Sequence, residues 1–276
     1  MKKGYLTTTD KARIYYEDRG DGIPVLFVPG HMCTSRFFLQ NAEDLSQHYR
    51  VITMDPRGFG NSSKVLHGND VERHCDDICE LIEYLGLENT VLLGWSLGGS
   101  VVMMYFHKYR GAHLSAVGLI DSALFPFSDA SWNTYNARDY DMDGWYGKYG
   151  GWIKDAEGYY ENFMCRIDKG MKQGEREILK QEIEKTPPWI GFAIHTDWCH
   201  TDTEQYLKEL TVPVLLVAGE DCGMLRHYKE QLRVYSELYE LETGGHAMFL
   251  TERVRFNGML RSFIGNAINR ERKGRA

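Results

Sequence analysis

Short runs of almost unbroken apolar residues punctuate the chain at Val25 to Val28, Val51 to Met54, Val91 to Leu93, Val117 to Ile120 and Val214 to Ala218. Runs of this length, rich in β-branched residues and without polar alternation, suit parallel strands buried on both faces. The segments between them carry a helical period instead. Arg36 to Ser46, Val71 to Leu85 and Val101 to Tyr109 read as helices; in the second, Val71, Ile78, Leu81, Ile82 and Leu85 share one face. Strands alternating with helices predict an α/β fold built on a doubly wound, mostly parallel sheet. Ahead of this pattern, Tyr5 to Thr9 and Arg13 to Asp18 predict a short antiparallel pair at a sheet edge. Behind it, Tyr235 to Leu241 predicts a last strand and Arg253 to Phe263 a closing helix.

The alternation lapses between Phe125 and Leu210. No buried-strand run occurs there, and Trp, Tyr, Gly and Asp are dense. Gly174 to Lys185 reads as a helix stopped by Thr186-Pro187-Pro188. The expected organisation is therefore a core of residues 1–124 and 211–276, with an aromatic-rich, mainly helical cap of residues 125–210 inserted in it.

Chemistry concentrates where the apolar runs end. Gly94-Trp95-Ser96-Leu97-Gly98 follows one of them and fits G-x-S-x-G, a turn that lifts a serine hydroxyl between a strand and a helix. Such a serine needs a histidine base, and the base needs an acid to orient it. His246 is the candidate base, in a glycine-bearing loop between the last strand and the closing helix. Three acids qualify. Asp221 lies just past the run Val214 to Ala218 and is preferred; its neighbour Glu220 and Asp121, past Val117 to Ile120, are alternatives. The oxyanion donors are expected to be the backbone N–H groups of Leu97 and of His31 in Pro29-Gly30-His31-Met32-Cys33, with Met32 as the fallback.

These motifs together resemble the α/β-hydrolase superfamily, in its capped, single-serine esterase and haloperoxidase-like group. Met54-Asp55-Pro56-Arg57-Gly58-Phe59-Gly60-Asn61-Ser62 is similar to that family's D-x-R-G-x-G-x-S turn. Pro29 stands where the family usually has histidine. Ser96 argues against the dehalogenases and epoxide hydrolases of this fold, which place an aspartate there. The resemblance implies a serine hydrolase acting on a carboxylic ester or related small acyl compound. It also admits perhydrolase, lactonase, C–C hydrolase and cofactor-free oxygenase chemistry, or a non-enzymatic small-ligand receptor. Trp95, Trp132, Trp145, Trp189, Met32 and Met248 are the expected pocket residues, favouring an apolar acyl or aryl group.

The bulk properties narrow the partners. Lys and Arg number 32 against 39 Asp and Glu, a net charge of −7, which argues against nucleic acid and anionic membrane surfaces. No run is long enough to span a membrane, and Met1 to Thr8 has no apolar signal-peptide core. The scattered cysteines (Cys33, Cys75, Cys79, Cys165, Cys199, Cys222) form no C-x-x-C pair and read as reduced thiols, so a cytoplasmic location is expected. Neither a dinucleotide fingerprint nor a phosphate loop is present, so no cofactor is expected. No metal is expected either: Asp139-x-Asp141-x-Asp143-Gly144 has Gly150 where a calcium loop needs glutamate, and His195, Cys199 and His200 lack a fourth ligand. Arg57 is expected to pin its glycine-rich turn, and the basic residues from Arg270 onward to fray. The oligomeric state is left open.

Overall fold

The apolar runs become strands of one eight-stranded sheet, ordered β1-β2-β4-β3-β5-β6-β7-β8. The computed structural model describes residues 1–135, 142–167, 169–219, 223–241 and 244–274. The strands are β1 (Lys2–Thr7), β2 (Arg13–Arg19), β3 (Pro24–Val28), β4 (Arg50–Asp55), β5 (Thr90–Trp95), β6 (Leu114–Ile120), β7 (Val214–Ala218) and β8 (Ser236–Glu240). Only β2 runs antiparallel to its neighbours, β1 and β4; every other pairing is parallel. β3, β5 and β7 are buried at every position, because helices cover both faces of the sheet. The edge strand β1 is mostly exposed.

The core helices are α1 (Leu39–Leu45), entered through a 3-10 turn at Ser35–Phe38, α2 (Val71–Tyr84) and α3 (Leu97–Tyr109). The Asp70 carboxylate caps α2 by accepting the Arg73 N–H at 2.7 Å. α4 (Met142–Lys154), α5 (Ala156–Ile167), α6 (Gln173–Ile183) and α7 (Pro188–His200) lie between β6 and β7. Pro188 stands in the first turn of α7, where its missing N–H costs no helical bond. α8 (Gly223–Gln231), α9 (Met248–Thr251) and α10 (Arg253–Gly274) complete the chain. α10 runs well past Phe263, so the expected fraying does not begin at Arg270. Phe256, Leu260, Phe263, Ile264 and Ala267 are buried at helical spacing and hold it, and the Arg270 guanidinium lies 3.9 Å from the centre of the Tyr235 ring.

Arg57 is fully buried and ion-paired to Asp77 and Asp10, each at 2.7 Å. Beside it, buried Asp55 accepts from the Ser35 N–H at 2.8 Å, the Ser35 hydroxyl at 2.6 Å and the Asn61 N–H at 2.8 Å. Asp55 thus ties the turn after β4 to the loop after β3, and Arg57 ties it to α2 and to the turn between β1 and β2. The chain leaves β3 for β4 on one side and returns to β5 on the other. The crevice past the strand ends at such a reversal is where open α/β sheets place ligands. The Pro29-to-Cys33 loop and Ser96 stand on its two sides.

Candidate active site

Ser96 joins β5 to α3 with φ 55° and ψ −123°, a conformation that side-chain-bearing residues rarely adopt. The flanking glycines make it possible. A Cβ on Gly94 would lie 2.2 Å from the Gly98 carbonyl oxygen, and one on Gly98 would lie 2.4 Å from that of Val28. Larger residues would push α3 off the sheet. The Ser96 N–H donates to the Ile120 carbonyl at 2.9 Å, which fixes the turn against β6.

His246 lies between β8 and α9, on a loop held by the elbow's own tryptophan. The Trp95 indole N–H donates to the His246 carbonyl at 2.9 Å, and the two rings are 5.2 Å apart. The imidazole Nδ1 lies 2.7 Å from Oδ2 of Asp121. Asp121 directly follows β6 and has φ 44°. Its N–H donates to the Val217 carbonyl at 2.8 Å, and its Oδ1 accepts the Gly219 N–H at 3.2 Å. The Asp121 carboxylate is thus held between the ends of β6 and β7 with one oxygen turned to His246.

The carboxylate on His246 belongs to Asp121, the alternative, and chain order alone did not distinguish it from Asp221. Asp221 and Glu220 lie outside the described residues. Ser96, Asp121 and His246 also follow one another in the order serine, acid, histidine.

Leu97 is the first residue of α3, so its N–H has no carbonyl partner within the helix. Gly30 presses against the elbow: a Cβ there would lie 2.9 Å from that of Ser96. Gly30, His31, Ser96, Asp121 and His246 line one cavity of about 630 Å³. Met32 is buried with φ 59° and is not among the residues lining it. Cys33 also borders the cavity; burial pushes its thiol well up, so it stays protonated at neutral pH.

The walls are aromatic, but mostly through residues the sequence did not single out. Of those expected, Trp95 lines the cavity. Trp132 stacks instead on His227 with 4.6 Å between ring centres, Trp189 is 42% exposed, and Met248 is packed under Gly244. The Trp145 side chain lies outside the described residues. Tyr135, Tyr159, Phe163, His195 and Trp198 take their place. Composition reveals an aromatic segment but not which face of each helix turns inward. His195 and Trp198 stand one turn apart on α7, a spacing that places both on one face of the helix. Among the described residues no group of three or more His, Cys, Asp or Glu is arranged to hold a metal ion. Asp143, from the calcium-like motif, begins helix α4 rather than a loop; Asp139 and Asp141 lie outside the described residues.

A serine on a strained strand-to-helix turn, sharing a cavity with a histidine paired to a carboxylate, is a hydrolase-type arrangement. Residues 23–253 match the model of the alpha/beta hydrolase fold, and the chain belongs to that family. A non-heme chloroperoxidase of Burkholderia pyrrocinia is 36% identical over 239 residues, covering 79% of this chain and 81% of that one. The bifunctional esterase/perhydrolase DCH of Acinetobacter calcoaceticus is 29% identical over 229 residues, covering 79% and 82%. The solved esterase EaEST of Exiguobacterium antarcticum superposes with a TM-score of 0.87 at 24% identity, covering 95% of this chain and 98% of that one. Among the described residues no helix is long and apolar enough to cross a membrane.

Proposed function

We propose that this protein is a serine hydrolase that cleaves a carboxylic ester or related small acyl compound through an acyl-enzyme. The observation that carries the reading is the 2.7 Å pairing of His246 Nδ1 with Asp121, in the same cavity that holds Ser96. Asp121 fixes the ring proton on Nδ1 and leaves Nε2 as the base. His246 takes the Ser96 proton as the hydroxyl oxygen attacks the carbonyl carbon, and Asp121 stabilises the imidazolium that forms. The Leu97 and His31 N–H groups receive the developing oxyanion, each worth about 100- to 1000-fold in rate. His246 then gives its proton to the leaving alkoxide. Water, deprotonated by the same nitrogen, releases the acid and restores Ser96. The helices between β6 and β7 act as the cap, and their aromatic side chains favour an apolar acyl or aryl group.

The names of the relatives favour a second use of the same acyl-enzyme, in which hydrogen peroxide replaces water and the product is a peracid. Ser96→Ala is expected to abolish hydrolysis of short p-nitrophenyl esters, and a fluorophosphonate to label Ser96 stoichiometrically. Full activity in the variant would overturn the mechanism. Added peroxide is expected to divert ester turnover into peracid if the second use holds.

A further inference from the structure

Hydrogen-bonding side chains converge on the cavity beside Ser96 with no part in the acyl transfer described above. His195 of α7 and Tyr135 both line it, with the Tyr135 hydroxyl 3.4 Å from Nε2 of His195. On the other ring nitrogen, Nδ1, the Cys199 sulfur stands at 3.6 Å. The His31 ring, on the loop that abuts Ser96, lies 4.9 Å from the His195 ring. Their surroundings are aromatic: Trp152 and Phe163 against His31, Tyr149 and Trp198 against His195. Tyr135 and Cys199 give the buried imidazole polar partners within this aromatic wall, whereas packing alone would be served by phenylalanine and leucine.

The group is also held rigidly. One turn beyond His195, the Trp198 indole donates to the Ser100 hydroxyl at 3.0 Å and the Ala123 carbonyl at 3.1 Å. The Asp197 carboxylate accepts the Val71 N–H at 2.8 Å, fastening α7 to α2. His195 therefore stands on a helix docked to the core at two points, the setting in which a polar side chain reads a ligand with precision.

We infer that His195 and Tyr135 form a specificity pair for an oxygen carried on the acyl group of the substrate, so that the natural substrate is a hydroxy- or oxo-acyl ester rather than a plain alkanoate. This rests on the serine hydrolase reading. The leaving group must stand at His246, which returns the proton to it. The acyl chain takes the room past the oxyanion loop, where His31 and His195 line the wall. An oxygen within a few bonds of the scissile carbonyl meets the Tyr135 hydroxyl and His195 Nε2. The pair can donate to a ketone, or accept from and donate to a hydroxyl.

The test uses methyl butanoate, methyl 3-hydroxybutanoate and methyl 3-oxobutanoate, with kcat/KM measured by acid release. The wild-type protein is expected to prefer the better oxygen-bearing ester by about tenfold or more, as sites built to hydrogen-bond a substrate do. His195→Leu and Tyr135→Phe are expected to shrink that ratio to below about threefold, whereas His195→Gln, which keeps a nitrogen near the Nε2 position, retains most of it. A structural role for His195 would change melting temperature and all three rates together and leave the ratio intact. Equal rates for the three esters, turnover of none, or a preference that survives both substitutions overturns the inference. Fluorophosphonate labelling separates the two levels: labelled Ser96 with no preference defeats the specificity pair alone, and an unlabelled, inactive protein defeats the hydrolase reading.

Discussion

Replacing Asp121 by asparagine perturbs one proton and almost no volume. In the native protein the Asp121 carboxylate faces two N–H groups, His246 Nδ1 at 2.7 Å and the Gly219 N–H at 3.2 Å. An asparagine has one oxygen and one NH₂ for these two positions. The backbone N–H of Gly219 can only donate, so the amide oxygen turns to it and the NH₂ turns to His246. Nδ1 must then accept, which moves the ring proton to Nε2, the nitrogen that has to take the proton of Ser96. The stabilisation of the imidazolium by a carboxylate is lost at the same time. In serine–histidine–aspartate sites this exchange lowers kcat by about 10⁴-fold, or ~5.5 kcal/mol at 1.36 kcal/mol per decade. The Asp121 side chain is 18% exposed, so some solvation of the pair softens the loss, and 10³- to 10⁴-fold is expected for this site. The assay is kcat and KM on p-nitrophenyl acetate, with KM expected to stay within about threefold because the cavity shape is kept. A thermal melt checks that the variant folds. The reasoning is refuted if D121N keeps activity within about tenfold of wild type, or if D221N produces the large loss instead.

Other consequences follow from neighbouring contacts. Trp95→Phe keeps the ring but deletes the donor to the His246 carbonyl, and should lower kcat by about tenfold, the ~1.4 kcal/mol of one hydrogen bond, with KM little changed. Arg57→Leu leaves Asp77 buried with Arg73 as its remaining cation; steady urea titration should show a loss of about 3 kcal/mol. Burial, with Arg57 and Arg73 nearby, pushes the His74 imidazole down from 6.5 to about 3. The unfolded chain therefore binds a proton that the native protein refuses, so this contribution is full above pH 6.5 and declines as pH falls toward 3. Between pH 7.5 and 4.5 the wild type should lose about 3 kcal/mol more stability than His74→Leu, read from urea midpoints; equal losses would show that His74 is not the group responsible.

The legible parts of this protein are those written by near neighbours. The buried strands announced themselves as apolar runs because helices cover both faces of the sheet, and β3, β5 and β7 are buried throughout. α2 showed one apolar stripe, while its capping by Asp70 emerged only in the structure. Where packing reached further, local reading stopped short. The stretch from Arg36 split into a 3-10 turn and α1, and α10 outran its expected end because Ile264 and Ala267 are still buried. In the helical insertion, tryptophan content gave no direction: Trp132 and Trp189 turn away from the cavity that Trp198 and Tyr159 line.

The same division runs through the site. The sequence alone named Ser96 as the candidate nucleophile, because the elbow is a local device. Gly94 and Gly98 are required by contacts of 2.2 Å and 2.4 Å that any side chain would make, and they lie within two residues of the serine they serve. It determined His246 as the candidate base through chain order and its glycine-bearing loop. The pairing of that histidine with a carboxylate became visible only in the fold. β6 and β7 are adjacent parallel strands whose ends open on one edge, so Asp121 and Asp221 are equivalent to any argument from spacing. The fold brings Asp121 to 2.7 Å from His246, residues 125 positions apart in the chain, a contact that no local pattern encodes.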